Sequence, residues 1–256
     1  MTSSPLPPRG RPDVTIVVPV YRNADSLPAL TSRVRAAMAL TGVEFRLLLV
    51  VDASPDESWS VVRELAAGDA RVGGLLLADN VGQHAAVLAG LASACARWFV
   101  VMDADLQDAP EAIPVLLERA RQCGVTVFAQ RRGRYERWDR LATSRLFKTA
   151  LRWISGVPWD VGTFFVVSGE VADAMRQVRA RSPQVVVLAH HCSRQCETVP
   201  IRRATRATGT SAYSSLGRVR AALTTISCAV ACRRAHLAGT AQASSRPPRI
   251  REQVNV

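Results

Sequence analysis

The chain has 256 residues, 48% of them hydrophobic and 21% charged. That is enough apolar side chain for one large or two small packed domains, and it excludes a fibrous or disordered protein. The net charge is +12, and residues 202–256 alone supply ten arginines against one acid, Glu252. A basic end implies an anionic partner: a membrane surface, a phosphorylated lipid or a nucleic acid.

Residues 1–12 are rich in Pro, Ser and Arg and carry no apolar core of a signal peptide, so they form a flexible leader. Regular alternation starts after them. The β-branched run Val14–Val20 suits a strand buried on both faces, as in a parallel sheet. Asp25 and Ser26 cap a helix running to about Leu40, and Phe45–Val51 is a second strand. A helix over 56–67 follows, then a strand over 72–78 weakened by Gly73 and Gly74. Residues 82–96 have helical spacing, 98–102 a fourth strand, and Pro110 opens a helix over 111–123. A fifth strand covers 125–129. Beyond it the spacing predicts a helix over 139–155, a strand over 163–167 and a helix over 169–178. Residues 183–201 fit a helix and a strand equally well, and no packed element is expected from about 203 onward. Strands alternating with helices indicate βαβ units, and ligands of such sheets bind beyond the carboxyl ends of the strands. Chemistry is therefore expected just after residues 20, 51, 78 and 102.

Acidic and polar residues stand at those places. In Met102-Asp103-Ala104-Asp105-Leu106-Gln107-Asp108, alternate strand positions face one side, so Asp103 and Asp105 converge, with the Gln107 amide oxygen as a third hard ligand. That donor set suits Mg²⁺ or Mn²⁺, ions that share their coordination with substrate phosphates. Asp52, ending the second strand, is placed to accept from ribose hydroxyls or a base N–H. Pro19, Tyr21 and Asn23 follow the first strand, where a nucleotide can rest. His84 is assigned equally to nucleotide contact and to helix initiation. His190, His191, Cys192 and Cys196 lack zinc spacing and are expected to be ordinary packing or surface residues. The six cysteines form no disulfide framework of the secreted kind, and no run approaches the ~20 apolar residues of a membrane span. A cytoplasmic location follows as the expectation.

Taken together, Val14 to Asn23, Val51 to Asp56, Asn80-Val81-Gly82-Gln83-His84-Ala85 and Met102 to Asp108 resemble the family 2 glycosyltransferases of GT-A fold. Ala104 to Asp108 and Arg206-Ala207-Thr208-Gly209-Thr210-Ser211-Ala212-Tyr213 resemble the polyprenyl-phosphate hexosyltransferases of the dolichyl-phosphate mannosyltransferase-like group. The resemblance implies an α/β fold: a Rossmann-like, mostly parallel sheet flanked by helices over residues 13–215. It implies a nucleotide-sugar donor contacted by Asp52, with Asp103, Asp105 and Gln107 holding metal and diphosphate. Arg131 and Arg145 fall where the family binds the acceptor phosphate. Arg206 closes over the site, and Asp160 stands where the family has an acid on the sugar side. The chemistry agrees: residues 131–152 hold seven arginines and Lys148 against Glu136 and Asp139, and arginine binds phosphate bidentately. Arg132, Arg134, Arg137 and Arg140 are expected at the surface.

A metal-dependent enzyme is expected to neutralise the leaving diphosphate. An acceptor phosphate is already anionic and needs no strong base, whereas a hydroxyl acceptor needs one, which Asp105 or Asp108 could supply. In many relatives of that group, two membrane helices follow the region that matches Tyr213. Residues 216–239 resemble the amphipathic lead-in and 240–256 hold no span, so two expectations stay open: a soluble or peripheral member, held by the basic tail at the inner face of the cell membrane, or a truncated one. The end of that tail is expected to be disordered. Two other functions compete: transfer to a soluble small molecule or glycan, and nucleic-acid binding through the tail. Against the latter stand an aromatic content of only 5% and the absence of a nucleic-acid motif.

Overall fold

A computed structural model describes residues 12–132, 156–157, 160–178, 180, 182–202, 224–232 and 248–256. Four parallel strands form its centre: β1 (Val14–Val20), β2 (Phe45–Val51), β3 (Val72–Leu77) and β4 (Trp98–Val101). Helices α1 (Leu27–Ala39), α2 (Ser58–Gly68) and α3 (Gln83–Ser93) connect them, and α4 (Ile113–Cys123) leads from β4 to β5 (Thr126–Arg132). Then come β6 (Val161–Ser168), α5 (Gly169–Gln177), α6 (Val185–Cys192), β7 (Cys196–Arg202) and β8 (Ile250–Val254). The eight-stranded sheet has the order β7-β5-β6-β4-β1-β2-β3-β8, with β6 and β8 antiparallel to their neighbours.

Every residue of β1 is buried, because helices cover both faces of the sheet. Val14, Ile16, Val18 and Val20 pack on one side with Leu30 and Val34 of α1, Val62 of α2 and Leu116 of α4. Val17, Leu48 and Val50 face the other side, against Val87 and Leu91 of α3, Met175 of α5 and Leu188 of α6. Each such side chain contributes about 1.5–3 kcal/mol relative to exposure. Those two cores fix the strands and hence the loops at their carboxyl ends. α3 lies unusually close to the sheet: a Cβ on Gly90 would sit 2.5 Å from Val17 Cγ1 and 2.8 Å from Val50 Cγ2.

The expected helix at 139–155 lies outside the described residues. The ambiguous stretch 183–201 resolves into α6 and β7. Its run Val185–Ala189 is too short for periodicity to decide, and Pro200 is tolerated because β7 is an edge strand. The end of the chain corrects an expectation. Residues 250–254 are not disordered but pair antiparallel with β3, and 224–232 are helical. The Gly73-Gly74 pair that weakens β3 on paper makes this possible. A Cβ on Gly73 would lie 2.5 Å from the Asn255 carbonyl oxygen, and one on Gly74 3.1 Å from Val254 Cγ1. Trp59 Nε1 donates to Glu252 at 2.9 Å, and Asn255 Nδ2 donates to the Ala66 and Val72 carbonyls, which fastens the strand.

Cys228 and Cys232 are buried beside Cys192 of α6, whose thiol burial pushes up to about 11, so it stays protonated at neutral pH. Among the described residues no helix is long and apolar enough to cross a membrane.

Candidate active site

The loops after β1, β2, β3 and β4 meet over one edge of the sheet. They enclose a cleft of about 690 Å³ lined by Pro19, Tyr21, Asn23, Asp52, Asn80, Gly82, Gln83, Asp103 and Asp105, among others. Six residues chosen from the sequence therefore share one site.

The turns that build it are sharp. Arg22, Ala53 and Leu106 have φ of 55°, 45° and 58°, left-handed values that cost a side-chain-bearing residue about 1–2 kcal/mol each. All three follow the ends of β1, β2 and β4. Hydrogen bonds between the loops hold them. Ser54 Oγ accepts from the Arg22 N–H at 2.7 Å and donates to Asp56 Oδ1 at 2.6 Å; Asp56 Oδ2 accepts from the Ala24 N–H. Burial pushes the Asp56 carboxyl up, but hydrogen bonds from Ser54, Ser58 and the backbone at Ala24 and Ser58 outweigh it and hold the group below its ordinary value. Ser26 Oγ lies 2.8 Å from the Ala104 carbonyl, tying the first loop to the fourth.

Asp52 is 3% exposed. Its Oδ1 accepts from the Val81 N–H at 2.7 Å and its Oδ2 from the Gly82 N–H at 2.8 Å. This carboxylate builds the site as well as lining it, because it sets the backbone that starts α3. Gly82 has φ of 86° there, a conformation open to glycine. Asp103 Oδ1 accepts from Gln83 Nε2 at 2.5 Å and from Thr163 Oγ1 at 2.6 Å. Asp105 Oδ1 accepts from the Gln107 N–H at 3.1 Å, closing a tight turn.

The expected strand alternation is not what brings Asp103 and Asp105 together. β4 ends at Val101, and the irregular segment 102–107, which turns at 104–107, brings both residues to the cleft. The same turn leaves Gln107 7% exposed and outside the lining. Asp108 is 1% exposed, so it cannot reach a substrate as a base in this conformation. Asp160 precedes β6 and accepts from Gln130 Nε2 at 2.5 Å; it does not line the cleft. Arg131 lies in β5, opposite Ile201 of β7, while Arg145 and Arg206 fall outside the described residues. His84 Nδ1 accepts from the Val185 N–H at 3.5 Å, and burial holds its pKa below the usual value, so it caps α6 as a neutral ring. Gln83, Asn80 and Thr163 were given no role by the sequence. Gln83 stands inside a motif that was noticed, but its partner is twenty positions away and only the fold reveals it.

Among the described residues the lining holds three carboxylates and no basic side chain. No three His, Cys, Asp or Glu of the described residues converge closely enough to hold a metal alone. A divalent cation at Asp103 and Asp105 would therefore complete its coordination with substrate oxygens, the usual habit of Mg²⁺.

Comparisons with known proteins agree with this geometry. The family described as glycosyl transferase family 2 matches residues 15–176. An undecaprenyl-phosphate 4-deoxy-4-formamido-L-arabinose transferase from Aeromonas hydrophila is 34% identical over 218 residues, covering 84% of this chain and 67% of that protein. Its counterpart from an Enterobacter species is 33% identical over the same shares. Among solved structures, glucosyl-3-phosphoglycerate synthase of Mycobacterium tuberculosis, in complex with Mn²⁺, UDP-glucose and phosphoglyceric acid, superposes with a TM-score of 0.59 at 17% identity, covering 87% of this chain and 80% of that one. A mannosyltransferase from Pyrobaculum calidifontis with GDP-mannose and Mn²⁺ gives 0.54 at 16% identity, covering 90% and 77%.

Proposed function

Because the chain belongs to glycosyl transferase family 2, we propose that it moves a glycosyl group from a nucleotide sugar to polyprenyl phosphate, with inversion, using Mg²⁺ or Mn²⁺. The observation that carries this reading is the meeting of Asp52, Asp103 and Asp105 in one cleft at the carboxyl edge of the sheet. An anionic diphosphate does not enter an acidic cleft without a cation, and Asp103 and Asp105 are the residues to hold one. Bound there, a divalent ion would neutralise the charge that builds on the leaving diphosphate.

The remaining steps fall to the chain. Tyr21, Asn23 and Asp52 line the cleft and are the residues proposed to contact the nucleoside. The acceptor phosphate, with a second pKa of about 6, is already a nucleophile near neutral pH. Its oxygen attacks the anomeric carbon from the face opposite the diphosphate; the new C–O bond forms as the old one breaks, and the electron pair leaves on the diphosphate. Arg131, Arg145 and Arg206 are the residues proposed to orient the acceptor, with bidentate contacts suited to phosphate. Asp160 and Gln107, which the resemblance implied for the sugar and the metal, stand outside the cleft lining and are given no direct contact in this proposal. The basic segment around Arg218, Arg220, Arg233 and Arg234 is proposed to lie against an anionic membrane surface, each apposed charge contributing roughly 1 kcal/mol. Because β8 belongs to the sheet, neutralising those arginines tests attachment more cleanly than deleting 216–256.

The sequence suggested a hexose, while the relatives' names carry a formamido-arabinose, a pentose derivative. The test is a donor panel holding both classes, with and without undecaprenyl phosphate, products read by mass spectrometry. A glycosylated polyprenyl phosphate from one donor is the expected result. Transfer to a soluble acceptor alone would replace the lipid reading, and no nucleotide-sugar turnover with any acceptor would remove it.

A further inference from the structure

We propose that Gln83 and Thr163 are positioning residues that orient the Asp103 carboxylate toward the divalent cation. The proposal rests on the metal-dependent reading given above.

Both donors reach the same oxygen. Gln83 Nε2 lies 2.5 Å and Thr163 Oγ1 2.6 Å from Asp103 Oδ1, and the two donors stand 3.5 Å apart. The Gln83 amide must present its NH₂, since its carbonyl oxygen would face a carboxylate. Two short bonds from different directions restrain the rotation of the carboxylate.

Each donor is itself held in place. β4 pairs antiparallel with β6 in a register running Trp98–Ser168 to Val101–Phe165, and its continuation sets Thr163 opposite Asp103. Thr163 is β-branched, so few rotamers compete with the bonded one. Gln83 is the first residue of α3. Its backbone is fixed on one side by the Gly82 N–H bond to Asp52 Oδ2 and on the other by His84, which accepts from Val185 at the start of α6. The carboxylate ending β2 thus sets the turn that delivers Gln83 to the carboxylate following β4. Residues behind a metal ligand orient it and tune its basicity, and their loss typically weakens metal binding about 10- to 100-fold.

The test measures Mn²⁺ binding to the full chain by electron paramagnetic resonance, with UDP or GDP, whichever binds more tightly. Thr163→Val keeps the shape and removes the donor; Thr163→Ser keeps the donor; Gln83→Ala removes the amide. Thr163→Val and Gln83→Ala should each weaken Mn²⁺ binding about 10-fold or more, while Thr163→Ser stays within about threefold of wild type. Thermal unfolding midpoints confirm that all three fold. In turnover, the metal concentration for half-maximal rate should rise in the first two, with kcat at saturating metal much less affected. The proposal is overturned if Thr163→Val and Gln83→Ala bind Mn²⁺ like wild type while Asp103→Asn does not, or if Thr163→Ser loses as much as Thr163→Val. A wild-type Mn²⁺ affinity in Asp103→Asn would instead strike the metal reading of Asp103 itself.

Discussion

The two edges of the sheet use aspartate in opposite ways. At the amino edge, Asp13 pairs with Arg97 at 3.5 Å, and Asp69 takes Arg71 at 2.8 Å and Arg35 at 3.4 Å. At the carboxyl edge, the partners described for Asp52 are backbone N–H groups, and those for Asp103 are an amide and a hydroxyl. The amino-edge carboxylates are matched by arginines and serve stability. The donors described at the carboxyl edge are instead backbone, amide and hydroxyl groups, which fix how Asp52 and Asp103 stand at the cleft. Of the four described non-glycine residues with positive φ, three (Arg22, Ala53 and Leu106) lie at the carboxyl edge, while Asn255, a residue type that tolerates this conformation, lies beside Gly73 at the start of β3. Strained turns and like charges gathered in one cleft are costs that a binding site accounts for.

The contrast can be broken by experiment, beginning with the largest effect. Chelating divalent metal should lower turnover at least about 100-fold, and Mn²⁺ or Mg²⁺ should restore it, because the ion contributes several kcal/mol at the leaving diphosphate. Full activity in chelator would end the distinction between the edges. Asp52→Asn should cost about 1–3 kcal/mol of stability and weaken donor binding, since an amide cannot accept from both the Val81 and Gly82 N–H groups. Denaturant titration and donor affinity report the two effects; a change in neither would reduce Asp52 to a bystander. Gly90→Ala should cost about 1–3 kcal/mol by overpacking against Val17 and Val50, offset in part by the better helix propensity of alanine. The smallest effect belongs to the amino edge. Hydrogen bonding from Arg71, which outweighs burial, holds the Asp69 carboxyl below its ordinary value. A depressed folded value means stabilisation that is present above the ordinary carboxylate range and lost as pH falls through the folded value. Asp69→Asn should therefore flatten the acid limb of the stability profile, cost under about 1 kcal/mol at neutral pH because its arginines are half exposed, and leave turnover alone.

Much of this division was legible in the sequence. Continuous apolar runs such as Val14–Val20 marked strands buried on both faces, and acids directly after such runs marked the edge where ligands bind. What escaped depends on long-range pairing. β8, Ile250–Val254, is largely exposed and shows no clean alternation; its place in the sheet comes from room beside Gly73 and from the bonds of Trp59 and Asn255 that only the fold brings together. Gln83 and Thr163 are ordinary residues until the fold sets them against Asp103. The resemblance to family 2 glycosyltransferases rested on local motifs, and residues 15–176 match that family.

If the carboxyl edge carries metal-dependent transfer to polyprenyl phosphate, Asp105→Asn abolishes it. Lipid product is read by mass spectrometry at saturating donor and Mn²⁺, beside wild type. Wild type should yield glycosylated undecaprenyl phosphate and the variant none above background, with the unfolding midpoint retained. Equal product from both proteins would contradict it.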